Sequence, residues 1–241
     1  MLFVQAALNG DSKHPAVPRR ADQIARDTRS AIAAGASSVH VHAFHEDGAE
    51  TLDGDACARV LRAIRRECPG VPISLTTSAA IVKDPERRLA IISSWTELPD
   101  LVTANQGEEG IIPLCELLLS RGVELEAGLL SVEDARKFVT APGHLRWRRV
   151  LVEPLDADPE EAVRHAAEME EILRARHITL EQVHHGYGVA SWAVNQRAIA
   201  RGHGIRTGLE DVTVLPDGQD AESNAQLVRT AVAMIARARV N

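Results

Sequence analysis

The sequence predicts an α/β protein in which eight βα units close into a (β/α)8 TIM barrel, with residues 1–241 as a single domain. Short apolar or β-branched runs recur roughly every 25 to 35 residues, and each is followed by a segment with helical periodicity. Eight such runs can be counted, a number that fits a closed barrel better than an open doubly wound sheet. Pro, Gly and Ser are scattered at the ends of these runs, so no flexible linker divides the chain.

The eight predicted strands are rich in Val, Ile, Leu and Ala, because aromatic residues make up only 3% of the chain. Short apolar runs that alternate with helical segments are typical of a parallel sheet. In chain order the strands are Phe3–Leu8, Ser38–Phe44, Pro72–Thr77, Leu101–Asn105, Glu124–Leu129, Arg149–Glu153, Gln182–Gly186 and Gly204–Leu209.

The segments between the strands carry apolar residues at helical spacing, which predicts helices that pack against the barrel. Two such stripes are Ala21, Ile24, Ala25, Thr28, Ala31 and Ile32, and then Ala56, Val60, Leu61 and Ile64. Later helices are predicted at Asp158–Arg176, Ser191–Arg201 and Ser223–Ala238. In this architecture reactive groups come from the C-terminal ends of the strands and the loops that follow, so the chemistry is expected there.

The composition excludes several classes of protein. The formal net charge is -7, and the Arg residues are spread among Glu and Asp, so no basic stripe predicts binding to nucleic acid. The chain shows no signal-like start and no apolar stretch of membrane length, and we therefore expect a soluble, cytoplasmic protein. Cys57, Cys68 and Cys115 lack CxxC spacing, which indicates small hydrophobic residues rather than disulfides or a thiolate zinc site.

The second predicted strand ends in a pair of histidines. The two-residue period of a strand places His40 and His42 on one face, while Val39, Val41 and Ala43 face the helices. Two imidazoles therefore face the barrel mouth, where they can bind a metal ion. The alternative is a pair of hydrogen-bonded core histidines.

The eighth predicted strand offers a carboxylate to complete the site. Arg206, Gly208 and Glu210 share one face of this strand, and Asp211 follows where the strand turns into its loop. Strands two and eight flank strand one in a barrel, so the imidazoles and the carboxylate can converge. Such a set leaves a tetrahedral zinc ion one open position for a substrate carbonyl. The alternative is a surface loop with an incidental ion pair.

Several segments together resemble a known family, the β-keto acid cleavage enzymes, whose named member is the 3-keto-5-aminohexanoate cleavage enzyme. The similar segments run over nearly the whole chain, and the HxH and RxGLED blocks are the most specific. They are Ala7-Leu8-Asn9-Gly10, His40-Val41-His42, Thr76-Thr77, Arg206-Thr207-Gly208-Leu209-Glu210-Asp211 and Ser223-Asn224-Ala225.

The resemblance implies a metal-dependent TIM barrel that cleaves a carbon–carbon bond and transfers an acyl group. The reaction of the family is a retro-Claisen exchange between a β-keto acid and acetyl-CoA, which gives acetoacetate and a new acyl-CoA. By resemblance the zinc ligands are His40, His42 and Glu210, although two imidazoles and one carboxylate also accept Fe, Co, Ni or Mn. The resemblance also implies a homo-oligomer, such as a tetramer.

The resemblance further assigns roles around the metal. Asp211 matches the acid/base carboxylate, Arg206 the catalytic arginine and Thr76 a Ser or Thr of the site. Arg206 can hold Asp211 as a carboxylate or bind the acid group of the substrate. The expected substrate-binding residues are Asn9, Asp11, Asn105 and Glu126.

Glu126 carries further alternatives. With Glu124 it is expected on the inward face of the fifth strand, where it could reach a polar substrate or orient a ligand imidazole. The alternative is a buried carboxylate that only forms hydrogen bonds within the protein.

Two other segments leave alternatives open. Members of the family usually continue the HxH block with Arg-Asp, whereas this chain has Phe44-His45, which points to a different way of anchoring substrate. The run His184-His185-Gly186-Tyr187-Gly188 ends the seventh strand, where it could receive part of CoA or could simply fill the barrel mouth.

Two other functions are compatible with parts of the pattern. Metal-dependent hydrolases also begin with HxH on a barrel strand, but they need histidines on strands five and six, and Glu124–Leu129 and Arg149–Glu153 contain none. A diverged barrel that only binds a small acid would fit the Phe44-His45 departure. The presence of both Arg206 and Asp211 favours an active enzyme.

Overall fold

Each predicted strand is present in the computed structural model, which describes residues 2–143 and 145–238. Positions 1, 144 and 239–241 of the predicted domain lie outside the described residues. In chain order the strands are β1 (Val4–Ala7), β2 (Ser38–Val41), β3 (Ala43–Phe44), β4 (Glu50–Thr51), β5 (Ile73–Thr76), β6 (Leu101–Asn105), β7 (Glu124–Leu129), β8 (Arg149–Val152), β9 (Glu181–His184) and β10 (Gly204–Thr207).

A helix follows each barrel strand. Several helices begin at side chains that accept a hydrogen bond from the first turn, as Asp53, Asp84, Ser131 and Asp158 do. The helices are α1 (Ala21–Ala33), α2 (Gly54–Glu67), α3 (Pro85–Ser93), α4 (Ile111–Ser120), α5 (Val132–Phe138), α6 (Pro159–Ala175), α7 (Ala190–Ala200) and α8 (Asn224–Ala238).

The strands close into the predicted barrel. Eight parallel strands pair in the order β1-β10-β9-β8-β7-β6-β5-β2, and β2 closes the ring on β1. β1 therefore lies between β2 and β10, with Ala7 opposite His40 on one side and Ala6 opposite Thr207 on the other. This confirms the (β/α)8 barrel and brings the two ligand-bearing strands to one sector of its mouth.

The second predicted strand is shorter than expected. β2 ends at Val41, and Ala43–Phe44 instead pairs antiparallel with Glu50–Thr51 in a small hairpin over the barrel mouth. His42 lies between the two strands and belongs to neither. The expected alternation therefore holds for His40 within the sheet, while His42 needs other contacts to fix it.

The core lies mainly between the barrel and the helices. Outward-facing residues of the strands, such as Val39, Val41, Ile73 and Leu75, are fully buried against the helices. Cys57, Cys68 and Cys115 are buried free thiols, in agreement with their interpretation as small hydrophobic residues. Within the described part of the chain, the helices are too short or too polar to cross a membrane.

A buried histidine on β9 makes the stability of the fold depend on pH. His184 is fully buried and stacks on His203, with their ring centroids 4.6 Å apart. Burial lowers the pKa of His184 from 6.5 to about 3, and His203, Arg197 and His185 act in the same direction while Glu170 opposes them. His184 is therefore neutral in the folded protein at any moderate pH.

We expect His184→Asn to reduce the acid sensitivity of the fold. Below pH 6.5 His184 binds a proton in the unfolded chain but not in the folded protein. The free energy of unfolding therefore falls by about 1.4 kcal/mol per pH unit toward pH 3. Urea unfolding at pH 7 and pH 5 measures this slope, and the wild type should lose about 2 kcal/mol more than the variant. Equal losses in the two proteins would contradict the assignment.

Candidate metal centre

Three side chains from two sides of β1 converge at the barrel mouth. His40 Nε2 lies 3.3 Å from His42 Nε2, and Glu210 Oε1 lies 3.7 Å from the first and 3.5 Å from the second. His40 comes from β2, His42 from the segment just after it, and Glu210 from the loop after β10. The structure therefore brings together all three ligands expected from the sequence.

The donor set fits a tetrahedral metal ion. Bonds of about 2.0 to 2.2 Å to imidazole nitrogen and carboxylate oxygen place tetrahedral ligand atoms about 3.3 Å apart, close to the three distances observed. Glu210 Oε2 is buried and has no hydrogen-bond partner among the described residues, so it too can serve a bound cation or substrate. An added Cβ at Gly10 would lie 2.7 Å from Glu210 Cγ, so only glycine leaves room for this carboxylate.

A chain of hydrogen bonds inside the barrel holds His40. Its Nδ1 lies 3.2 Å from Ser74 Oγ and 3.3 Å from Thr103 Oγ1, and both hydroxyls donate to Glu126 Oε2. Glu126 Oε1 in turn accepts from Gln5. Hydrogen bonding at Nδ1 leaves Nε2 of His40 directed to the metal position.

The β3–β4 hairpin supplies a carboxylate to His42. Glu50 follows a turn at Gly48, and its Oε1 lies 2.5 Å from His42 Nδ1. Burial lowers the pKa of His42, but Glu210 and Glu50 outweigh burial and raise it to about 9. The two carboxylates therefore favour positive charge at this position.

The other two ligands have pKa values that are both lowered. It lowers the pKa of His40 well below the usual value, so this imidazole is neutral and able to bind a metal. Burial would raise the pKa of Glu210, but Arg206 and the two imidazoles hold it well below the usual range. Glu210 is therefore ionised.

Arg206 and Asp211 form a buried pair beside the ligands. Arg206 donates from Nε to Asp211 Oδ2 over 3.0 Å and from Nη2 to Asp211 Oδ1 over 2.7 Å, and it also donates to Glu210 Oε1 over 2.7 Å. Burial raises the pKa of Asp211, although Arg206 and His185 lower it. Asp211 is thus a carboxyl group whose proton affinity is higher than that of an exposed aspartate, as acid/base chemistry requires.

A second group of acids surrounds His185 behind this pair. His185 Nε2 lies 3.3 Å from Glu153 Oε2, while Nδ1 lies 3.6 Å from Asp211 Oδ2. One ring nitrogen lies near each carboxylate, but neither contact has the geometry of a hydrogen bond. Although burial opposes it, His185 lowers the pKa of Glu153. One donor atom from each of Glu153, His185 and Asp211 lies within 4.8 Å of the others, so the described residues include a second group that could hold a metal ion.

A cavity of about 320 Å³ opens beside Glu210 and Asp211. We call it the mouth cavity. Its wall is formed by the loops after β1, β9 and β10, and Asp11 and Tyr187 lie on it. The lining residues are Asp11, Ser12, Lys13, Tyr187, Gly188, Glu210, Asp211, Val212 and Thr213. Of the expected substrate-binding residues, Asp11 is the one that this cavity includes.

The other expected substrate-binding residues lie elsewhere. Asn9 is fully buried and bonds to the backbone around His42, and Glu126 is fully buried in the barrel interior, where it accepts from Ser74. For Glu126 the structure favours the alternative in which it orients a ligand imidazole. Asn105 ends β6 and donates to Glu108 Oε1 over 3.0 Å. Thr76 ends β5, two residues beyond Ser74 on the same face.

The structure also shows where Phe44-His45 and the run His184–Gly188 lie. Phe44 and His45 line a cavity of about 600 Å³ between the hairpin and the helices α1 and α2, and its described lining residues include none of the three ligands. In the run that begins at the last residue of β9, His184 stacks on His203 and His185 lies between two carboxylates, while Tyr187 lies on the mouth cavity.

Sequence reasoning missed several residues that support the ligands. Ser74 and Thr103 lie on the inward faces of their strands, so alternation from Thr76 and Asn105 could have indicated both. Glu153 could also have been found from the sequence, because it ends a predicted strand. Glu50 had none, because an irregular hairpin brings it back to His42.

The fold and this arrangement define a class of protein: a (β/α)8-barrel enzyme with a candidate metal centre of two histidines and one carboxylate beside a buried Arg–Asp pair. A profile of the beta-keto acid cleavage enzyme family matches residues 1–143 and 135–240. The chain therefore belongs to the beta-keto acid cleavage enzymes, which confirms the resemblance seen in its motifs.

Individual relatives agree with this assignment. A 3-keto-5-aminohexanoate cleavage enzyme of Fusobacterium nucleatum is 29% identical to this chain over an alignment of 253 residues. The alignment covers 96% of this chain and 90% of the relative. A 3-oxoadipate:acetyl-CoA acetyltransferase of Cupriavidus necator is 36% identical over 92 residues, which cover 38% of this chain and 32% of the relative.

A solved structure shows the same fold. ObcA in a ternary complex with a C4-CoA adduct and oxalate superposes with a TM-score of 0.72 at 14% sequence identity. The superposition covers 93% of this chain but only 64% of the ObcA chain, and at this identity it supports the barrel alone.

Proposed function

We propose that this enzyme is a zinc-dependent β-keto acid cleavage enzyme that exchanges acyl groups between a β-keto acid and acetyl-CoA. The observation that carries the proposal is the convergence of His40, His42 and Glu210 beside the Arg206–Asp211 pair. The names of two relatives support the substrates, since one is a 3-keto-5-aminohexanoate cleavage enzyme and the other a 3-oxoadipate:acetyl-CoA acetyltransferase.

The proposed reaction is balanced without water or a redox partner. The bond between C2 and the keto carbon of the β-keto acid breaks, and C2 bonds to the acetyl carbonyl carbon of acetyl-CoA. The CoA thiolate takes the remaining acyl group, so acetoacetate and a new acyl-CoA are formed. A bound zinc ion supplies a Lewis acid that polarises a carbonyl oxygen in this site.

The protein's own residues supply proton transfer and charge. Asp211 accepts the proton from C2 of the keto acid and can return one later, because burial raises its pKa. Arg206 remains charged, since Asp211, Glu210 and Glu153 outweigh the effect of burial and raise its pKa. It therefore stabilises the ionised carboxylates of Glu210 and Asp211 and the negative charge that develops beside them.

Substrate enters through the mouth cavity in this proposal. Asp11 lies on its wall and would face the distal end of the keto acid, while Thr76 and Asn105 provide polar groups at the ends of β5 and β6. The Tyr187-Gly188 segment also lines this cavity. The exposed ring of Tyr187 is available to contact a CoA arm.

Turnover of a substrate panel tests this function. The purified enzyme with zinc is incubated with acetyl-CoA and β-keto acids that carry neutral, anionic or cationic distal groups. Mass spectrometry should detect acetoacetate and the acyl-CoA of at least one panel member in equal amounts. Saturable zinc and acid binding without acyl exchange would instead indicate a barrel that only binds a small acid.

The remaining expectations concern the state of the protein. Residues 1–241 are proposed to form one domain, and the chain is proposed to assemble as a cytoplasmic homo-oligomer, by analogy with the family. Sedimentation analysis measures the assembly directly. A monomer at micromolar concentration would contradict the oligomer.

A further inference from the structure

His42 is the ligand that the barrel sheet does not hold. β2 ends at Val41, whose partner in the barrel is Leu75, and β3 begins at Ala43 in a different sheet. A ligand without strand pairing would be free to move, whereas metal binding needs its imidazole in a fixed direction. Some other part of the chain must therefore hold His42.

The regular backbone hydrogen bonding between β1 and β2 stops at His42. Leu8 N donates to His40 O over 3.0 Å, and a regular parallel ladder would continue with His42 N donating to Leu8 O. Leu8 O instead accepts from Asn224 Nδ2 over 2.7 Å. The backbone amide of His42 thus loses its strand partner.

The side chain of Asn9 takes that place. Asn9 Oδ1 accepts from His42 N over 2.8 Å, and Asn9 Nδ2 donates to His42 O over 3.1 Å, so one side-chain amide binds both backbone groups of the ligand residue. The same amide accepts from Gly10 N and donates to Pro18 O. Both donors and both acceptor positions of Asn9 are therefore used within the protein.

Glu50 fixes the ring of the same residue. It lies on β4 and contacts His42 Nδ1, so the proton sits between Nδ1 and the carboxylate and the lone pair of Nε2 is left for the metal. This Nε2 is the atom that faces His40 and Glu210. Asn9 controls where the backbone of His42 lies, and Glu50 controls how its ring turns.

We infer that Asn9 and Glu50 are a pair of positioning residues that make His42 a fixed metal ligand outside the barrel sheet. This gives Asn9 a role different from the substrate contact expected from the sequence. The inference rests on the metal site of the proposed function. It does not depend on which substrate the enzyme uses.

Zinc affinity of three variants tests the inference. Glu50→Ala removes the ring contact, and Asn9→Asp keeps the acceptors but places an oxygen against the carbonyls of His42 and Pro18. Each should weaken zinc binding roughly 10- to 100-fold, as loss of a group that orients a ligand does. Glu50→Gln should retain most of the affinity, because its amide oxygen can still accept from Nδ1–H.

The chain offers a matched control on the same hairpin. Glu46 is exposed, and Glu46→Ala should bind zinc as the wild type does. Competition with a chromophoric chelator measures the affinities, and thermal unfolding of the metal-free proteins shows whether each variant is folded. If Asn9→Asp does not fold, the Glu50 series decides the question alone.

Two results would overturn the inference. One is zinc affinity within about twofold of wild type in Glu50→Ala and in folded Asn9→Asp, and the other is an equal loss in Glu46→Ala. A wild type that binds zinc but exchanges no acyl group would defeat the proposed reaction and leave this inference standing. A wild type that binds no zinc would overturn both.

Discussion

Replacement of Asp211 by Asn should lower kcat by roughly 10²- to 10⁴-fold, the contribution usual for a general acid or base. The amide oxygen of the new side chain could still accept a hydrogen bond from Arg206, but the amide cannot take a proton from the substrate. The fold and the three ligands should be unaffected, because Asp211 faces Arg206 and His185 rather than the metal position. Turnover with acetyl-CoA and the best keto acid is the measurement.

Metal content separates this effect from loss of the site. Asp211→Asn should bind zinc nearly as well as the wild type, whereas Glu210→Ala should lose both zinc and turnover. Asp217 lies in an exposed turn of the same loop, and Asp217→Asn should keep full activity. Turnover of Asp211→Asn within tenfold of wild type would remove Asp211 from the proposed chemistry.

Gly208→Ala should cause the largest loss of stability. A Cβ at this position would lie 1.9 Å from Ala7 O and 2.6 Å from Ala7 C, so the clash is with the backbone of β1 and no side chain can move aside. Separation of β1 from the loop after β10 would cost about 3 kcal/mol or more. The same shift would displace Glu210, so zinc affinity should fall as well.

Urea unfolding and zinc titration measure both effects. Gly54→Ala is the matched control, because a Cβ there would meet Trp95 at an ordinary contact distance of 3.5 Å in the first turn of α2. This control should be neutral, or more stable by up to about 1 kcal/mol. A Gly208→Ala protein with unchanged stability and zinc affinity would show that β1 and the ligand loop are not closely packed.

The barrel and the ligand set could be predicted because both depend on short-range periodicity. The spacing of apolar runs indicated the number of βα units, and alternation along a strand placed His40 toward the mouth. Glu210 was also assigned by alternation, although it lies in the loop after β10. Closure of the barrel then required the second and eighth strands to lie on either side of the first. No long-range detail was needed for these steps.

The supporting contacts depend on how the chain departs from regular strands. Asn9 substitutes for the strand partner of His42, while Leu8 O, which a regular ladder would offer, accepts from Asn224, 216 residues away. Glu50 reaches His42 only because Ala43–Phe44 leaves the barrel and forms a hairpin. Alternation along one strand contains no information on either contact, so neither the backbone contact of Asn9 nor the ring contact of Glu50 was predicted.

The metal content of the purified wild type, measured beside His42→Ala and Glu210→Ala, tests the central claim most directly. The geometry of the three ligands predicts about one zinc ion per chain in the wild type and a lost or strongly weakened ion in both variants. A wild type that contains no metal, and binds none when zinc is added, would contradict the metal centre and the reaction proposed for it.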